Sequence, residues 1–262
     1  MTALLRRLLR PLRRRLAARA PIAVGWVRRD AGSWLAGAIP GPTFSPPVPA
    51  RAALIESIAA ETEALGAQPL WEGYRDAYAK HAAMPWAGKA MSRSSEEVRS
   101  QPRMGHLFAW LAATRRPGVI VEVGTAFGVS GMYWVAGLAE AGGGVLLTFD
   151  PNETWHAIAK SNIARIGPQA VAVPRTVEDA LEETLGGRAV DLCFIDAIHT
   201  GEFVRAQLDL ILPRLSPGAL VLLDDITFSD DMAACWAALA DDTRFRASLT
   251  FDARVGVLER PA

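Results

Sequence analysis

Acidic residues stand at or beside the ends of four aliphatic runs in this chain. Glu122 sits in VIVEV, Asp150 follows VLLTF, Asp196 follows VDLCFI, and the pair Asp224-Asp225 follows LVLL. A single acid after a strand often only caps the next helix; four at corresponding places call for a chemical reading. After Glu122 come Gly124, Thr125, Gly128, Ser130 and Gly131, spaced E-x-G-x-x-x-G. Glycine there permits backbone angles closed to other residues and lets a ligand approach the main chain. The spacing is neither the G-x-G-x-x-G of dinucleotide binders nor the lysine-containing phosphate loop. Asp150, at the second strand end, could accept both hydroxyls of a ribose or cap a helix. Ser130 could donate to a ligand carboxylate or cap its own helix.

Asp196, Asp224 and Asp225 make a second set. Three carboxylates on neighbouring strand ends repel one another, and an oxygen-only cluster with room for water suits Mg²⁺; solvated acids without an ion are the alternative. His199 follows Asp196 by three positions. An imidazole beside a polarised hydroxyl can act as general base, although many histidines are structural.

The elements that must carry these residues alternate regularly. Strands are expected at 119–123, 145–150, 170–173, 190–196, 219–224, 245–251 and 255–259, with helices over 129–140, 153–165, 177–185, 201–213 and 229–240. That alternation implies an α/β, Rossmann-like, doubly wound sheet of seven strands. It is mostly parallel, but the short turn at Asp252-Ala253 makes the last strand antiparallel. Upstream, helices are expected over 51–66 (Leu54, Ile55, Ile58) and 95–113 (Met104, Leu107, Phe108). The aromatics Trp71, Tyr74, Tyr78 and Trp86 with His81 either pack in a core or cover a pocket. The division is 1–50 as a basic helical extension and Pro-rich linker (Pro40 to Pro49), 51–103 as a helical cap, and 104–262 as the α/β domain that carries the acids.

Composition sets limits. Among 262 residues the formal charge is zero, yet residues 1–30 hold nine arginines and one acid, so the remainder carries −8. A body of that sign argues against nucleic acid as partner. Leu4, Leu8, Leu12 and Leu16 form an apolar stripe opposite arginines, interrupted by Pro11. That stripe suits peripheral contact with an anionic membrane or packing against a partner. No apolar run reaches the roughly 18 residues of a membrane span. Cys193 and Cys235 lie in apolar stretches without C-x-x-C spacing and read as buried free thiols of a cytoplasmic protein. Three lysines against 25 arginines, with abundant alanine, fit a GC-rich bacterial coding bias. A homo-oligomer is compatible with the sequence.

The run from Glu122 to Ser130 resembles the first motif of class I S-adenosylmethionine-dependent methyltransferases. Phe194-Ile195-Asp196-Ala197-Ile198-His199, then Leu212-Pro213-Arg214-Leu215-Ser216-Pro217-Gly218 and Asp224-Asp225, is similar to a bacterial branch. That branch contains the macrocin- and mycinamicin-type sugar O-methyltransferases; catechol and caffeoyl-coenzyme A O-methyltransferases are more distant. The likeness covers about residues 104–258. It implies cofactor contacts from Glu122, Gly124, Thr125, Gly128, Ser130, Asp150 and Asp196. It further implies Mg²⁺ on Asp196, Asp224 and Asp225, His199 as base, and a small-molecule or sugar hydroxyl as acceptor. Ala197-Ile198, Thr200-Gly201 and Ala219 depart from the branch's usual residues. Two other functions remain open. One is a methyltransferase-like binding protein without chemistry. The other is an NAD-dependent oxidoreductase, which would need the absent G-x-G-x-x-G.

Overall fold

Alternate residues of the central strands divide between two apolar cores, as the two-residue period of a strand requires. Ile120, Leu192, Phe194, Leu220 and Leu222 point to one face; Val121, Cys193, Ile195, Val221 and Leu223 point to the other. A sheet apolar on both faces must be covered on both, and in this computed structural model helices do so. Residues 20–74 and 91–262 are described here.

The strands are β1 (Ile22–Arg28), β2 (Thr43–Phe44), β3 (Gln68–Pro69), β4 (Ser92–Arg93), β5 (Val119–Val123), β6 (Val145–Phe149), β7 (Ala170–Val173), β8 (Val190–Ile195), β9 (Leu215–Leu223), β10 (Ala247–Phe251) and β11 (Val255–Glu259). The helices are α1 (Trp34–Ala38), α2 (Ala52–Glu63), α3 (Ser95–Val98), α4 (Pro102–Arg115), α5 (Val129–Ala141), α6 (Glu153–Ala164), α7 (Val177–Leu185), α8 (Gly201–Ile211) and α9 (Asp230–Ala240). The main sheet runs β2-β1-β10-β11-β9-β8-β5-β6-β7, and β3-β4 is a separate ribbon. Pairing is parallel from β9 through β8 and β5 to β6 and β7. It is antiparallel across β9-β11-β10-β1-β2.

The seven expected strands are present, but the count is corrected to nine. β1 and β2 add to the antiparallel edge, inside the stretch expected to be a helical extension and linker. β1 is buried at Ile22 and half-buried at Val24, Trp26 and Arg28, with exposed residues between them, so its apolar signal is weaker than that of a central strand. The single helix expected over 95–113 is also corrected: it is two, α3 and α4, separated at Arg99–Gln101. Pro102 forces the break, because the residue before proline is driven from helical to extended angles; Gln101 has ψ 147°. The basic stripe of residues 1–19 and the aromatic positions Tyr78, His81 and Trp86 lie outside the described residues.

α4 and α5 meet closely on one face. At Gly137 an added Cβ would fall 2.2 Å from the Ala109 carbonyl oxygen, so only glycine allows this approach. The packing fixes the axis of α5, and with it the glycine turn at its N-terminus. Cys193 and Cys235 are buried free thiols. No helix among the described residues is long and apolar enough to cross a membrane.

Candidate active site

The C-terminal ends of β5, β6, β8 and β9 open onto one cavity of about 400 Å³. Ligands bind at this edge of open parallel sheets because successive loops diverge there. Gly124, Thr125, Ser130 and Asp150 line one side; Asp196, His199, Asp224, Asp225 and Arg254 line the other. Glu122 and Gly128 lie outside the lining.

The first side is built by the glycine turn. Gly124 has φ +97°, and a Cβ there would meet the Asp196 carbonyl oxygen at 2.2 Å. The turn thus seals the β5 end against the β8 end, joining both halves of the cavity. Gly128, at φ +82°, is the N-cap of α5, so Ser130 is not the cap, and its hydroxyl bonds to the Glu122 carboxyl instead. Beneath the turn Glu122 is wholly buried. Its Oε2 accepts from Thr148 Oγ1 at 2.6 Å, and Thr148 in turn lies 2.6 Å from Thr125 Oγ1. Burial raises the Glu122 carboxyl to about 7, against hydrogen bonds from Thr148 and Ser130 that pull it down.

Asp150 accepts from the Ala126 N–H at 2.8 Å and the Asn152 N–H at 2.9 Å, one on each oxygen. The following helix is capped by Asn152, so Asp150 is not its cap. Burial raises its carboxyl to about 6, with the two N–H donors opposing. Each oxygen keeps a further lone pair for a donor in the cavity.

On the second side His199 Nε2 lies 3.9 Å from Asp196 Oδ1 and 3.7 Å from Asp225 Oδ2. Its ring rests 5.3 Å from that of Phe228. Burial, then the neighbouring Asp224 and Asp225 charges, raise the Asp196 carboxyl well above the ordinary range. Burial and Asp224 raise Asp225, and Arg254 and His199 oppose. Ala126, Ile198 and Asp225, all in the lining, have φ between +40° and +51°. Such angles are costly for residues with a Cβ, above all for β-branched Ile198, and collect where a site must be shaped.

Arg254 is the residue that sequence reasoning missed. Its Nη2 and Nε donate to Asp224 at 2.7 and 3.0 Å, and Nε is also 3.0 Å from Asp225 Oδ1. Burial works against its charge, but the ion pairs with Asp224 and Asp225 outweigh it and raise the guanidinium above its ordinary value. This bears directly on the expected Mg²⁺ site. Both oxygens of Asp224 and one of Asp225 are already held by a cation, and no group of three His, Cys, Asp or Glu among the described residues is placed to hold a metal. Asp196, Asp224 and Asp225 as arranged, with Arg254 in place, do not fit the ion. The one sequence signal was the turn between β10 and β11. β11 pairs antiparallel with β9, with Gly256 opposite Leu223, which brings residue 254 alongside 225.

The opposite rim comes from the break between α3 and α4, where Arg99, Ser100 and Gln101 line the cavity together with Tyr74. Arg99 pairs with Glu56, which also accepts from the Tyr133 hydroxyl at 2.8 Å. The rim is thereby tied to α2 and α5.

Residues 121–226 match the family model described as a methyltransferase domain. Among curated proteins, one from Mycobacterium sp. (strain KMS) named "Putative O-methyltransferase" is 35% identical over 126 residues, covering 46% of this chain and 54% of that protein. The chain spans about half the length of the mycobacterial relatives it matches. Among solved structures, the SAH-bound methyltransferase PaMTH1 of Podospora anserina superposes with TM-score 0.54 at 18% identity, over 84% of this chain and 100% of that one. The O-methyltransferase TomG of Streptomyces achromogenes, in complex with SAM, gives 0.52 at 18% identity, over 79% and 96%. The family match and the fold agree: residues 121–226 resemble a methyltransferase domain, and the chain carries the Rossmann-like α/β fold of the solved methyltransferases.

Proposed function

We propose that this protein transfers a methyl group from S-adenosylmethionine to a hydroxyl oxygen of a small molecule or sugar. One observation carries the reading. A single cavity joins a glycine turn and buried carboxylate suited to an adenosyl donor with a histidine set between two carboxylates. The sugar as acceptor class rests on the likeness of residues 194–203 to the macrocin-type branch.

The donor, when bound, supplies a methyl group already made electrophilic by its sulfonium. Asp150 would accept from ribose hydroxyls, Ser130 would donate to the carboxylate end by turning its hydroxyl away from Glu122, and the main chain at Gly124 and Thr125 would pass close to the ligand. The protein's task is then alignment and proton removal. The acceptor oxygen forms its bond to the methyl carbon as the carbon–sulfur bond breaks, its electron pair going to sulfur. The hydroxyl proton passes to His199 Nε2 and then to solvent. Asp196 and Asp225, 3.9 and 3.7 Å from Nε2, would stabilise the imidazolium that forms. A version of the same reaction assisted by Mg²⁺ on Asp196, Asp224 and Asp225 would require Arg254 to leave its place.

The test is calorimetric titration with S-adenosylhomocysteine and with NAD, followed by transfer of labelled methyl from S-adenosylmethionine to a panel of hydroxylated sugars and phenols. Binding of S-adenosylhomocysteine with labelled ether product supports the proposal. Binding without transfer to any acceptor favours a non-catalytic module, and binding of NAD alone overturns the donor assignment.

A further inference from the structure

We infer that Arg254 is a built-in cation for the acidic edge, standing where a divalent ion would sit, so that the site works without one. The inference rests on the methyl-transfer reading above but turns on separate observations. Asp196, Asp224 and Asp225 close two neighbouring parallel strands, β8 and β9, and such a group needs positive charge among it. The guanidinium supplies that charge through a matched fork, 2.7 and 3.0 Å to the two oxygens of Asp224 and 3.0 Å to Asp225 Oδ1. A hard divalent ion asks for about six oxygens in near-octahedral order. Three carboxylate oxygens are already committed to nitrogen. Asp196 Oδ1 and Asp225 Oδ2 instead flank the imidazole of His199 at 3.9 and 3.7 Å.

Arg254 is also held from behind. It leaves the turn Asp252-Ala253, where both residues have φ +52°. Asp252 donates its N–H to the Ala23 carbonyl at 2.8 Å and accepts from the Ala23 N–H at 3.0 Å. Asp252 also pairs with Arg103 at 2.6 Å. Ile226 N–H donates to the Arg254 carbonyl at 3.0 Å, and the Thr227 hydroxyl to the Ala253 carbonyl at 3.1 Å. The turn is therefore pinned by β1, by α4 and by the loop after Asp225. Withdrawal of the side chain alone would strip Asp224, 4% exposed, of both its side-chain hydrogen bonds. A guanidinium also differs chemically from Mg²⁺: it fixes geometry and neutralises charge but has no open position through which an acceptor could chelate. Proton removal then falls to His199, and the acceptor needs one reactive hydroxyl rather than a chelating pair.

The experiment uses Mn²⁺ as the probe, titrated into the full chain and followed by the electron paramagnetic resonance of the free ion, with Arg254→Ala and Arg254→Gln alongside and circular dichroism to verify folding. Wild type is expected to leave Mn²⁺ free, with or without S-adenosylhomocysteine. The variants, with the acids uncovered, are expected to gain Mn²⁺ affinity by about tenfold or more. Stoichiometric capture of Mn²⁺ by wild type overturns the inference, as do folded variants that bind no more than wild type. If both variants misfold, the wild-type titration still decides. Calorimetry with S-adenosylhomocysteine in excess chelator runs in parallel. Failure to bind there counts against the donor reading and leaves the Mn²⁺ result to judge Arg254.

Discussion

Arg254 grips both oxygens of Asp224, at 2.7 and 3.0 Å, from the far side of an antiparallel strand pair. The parallel half of the sheet delivers the acid and the antiparallel half the base. The closing hairpin, a scaffold at first sight, thus contributes directly to the site.

Breaking that pair from one side should cost stability. Asp224 is 4% exposed, and a charge left at such depth without its partner costs about 2–4 kcal/mol. Arg254→Met is expected to lower the urea-unfolding free energy by about that amount. Arg254→Lys should lose less, because the charge is kept, but not recover wild-type stability, since a point charge cannot reproduce the fork.

His199→Ala is expected to slow methyl transfer by about 10²–10⁴-fold, the usual scale for loss of a general base. S-adenosylhomocysteine affinity should stay within about threefold of wild type, because the histidine lies on the acceptor side. Single-turnover rates alongside calorimetry check both parts. An unchanged rate would remove His199 from the mechanism.

Donor affinity should depend on pH through Asp150. Its carboxyl is raised to about 6 by burial, and the ionised form is the one that accepts from ribose hydroxyls. S-adenosylhomocysteine binding is therefore expected to weaken as pH falls through 6, by about tenfold per unit below it. Asp150→Asn should bind more weakly at neutral pH and lose this slope.

Glu122 predicts a pH effect on stability. Its folded-state value is raised from 4.5 to about 7, so between those values the native protein holds a proton that the unfolded chain has lost. Unfolding free energy must then fall as pH rises through this window, by on the order of 3 kcal/mol from this group. Glu122→Gln keeps an acceptor for Thr148 and should flatten the fall. Urea unfolding at the two ends of the window measures it, and an equally steep fall in the variant would refute it.

Gly124→Ala should be among the most damaging substitutions in the chain. At φ +97° a Cβ would lie 2.2 Å from the Asp196 carbonyl oxygen, combining an unfavourable backbone with an overlap that moves β8 against β5. A loss of about 3 kcal/mol or more is expected, with S-adenosylhomocysteine binding abolished in whatever protein folds. Calorimetry and thermal unfolding test it.

The sequence alone determined the parallel half of this protein. Val119 to Val123 and Val190 to Ile195 are strands buried on both faces, and their continuous apolar runs are a local signal. The acids after them, the glycine turn and His199 are local as well, so the cavity-lining positions Gly124, Thr125, Ser130, Asp150, Asp196, His199, Asp224 and Asp225 could be named in advance. Only the tertiary structure decided which of them face the cavity and what offsets their charge. Glu122 and Gly128 belong to the same motif, yet they sit outside the lining because a tight turn sends neighbouring residues to opposite sides. β1 and β2 were hidden because β1 covers only one face and shows only a weak alternation, and β2 is two residues long. Arg254 was hidden for a different reason: 30 residues separate it from Asp224, and charge pairing across that distance depends on the antiparallel register of β9 and β11. Composition carries no trace of such a pairing. A strand's identity is a matter of its own residues, but the neutralising partner of a buried acid is chosen by which strand folds back beside it.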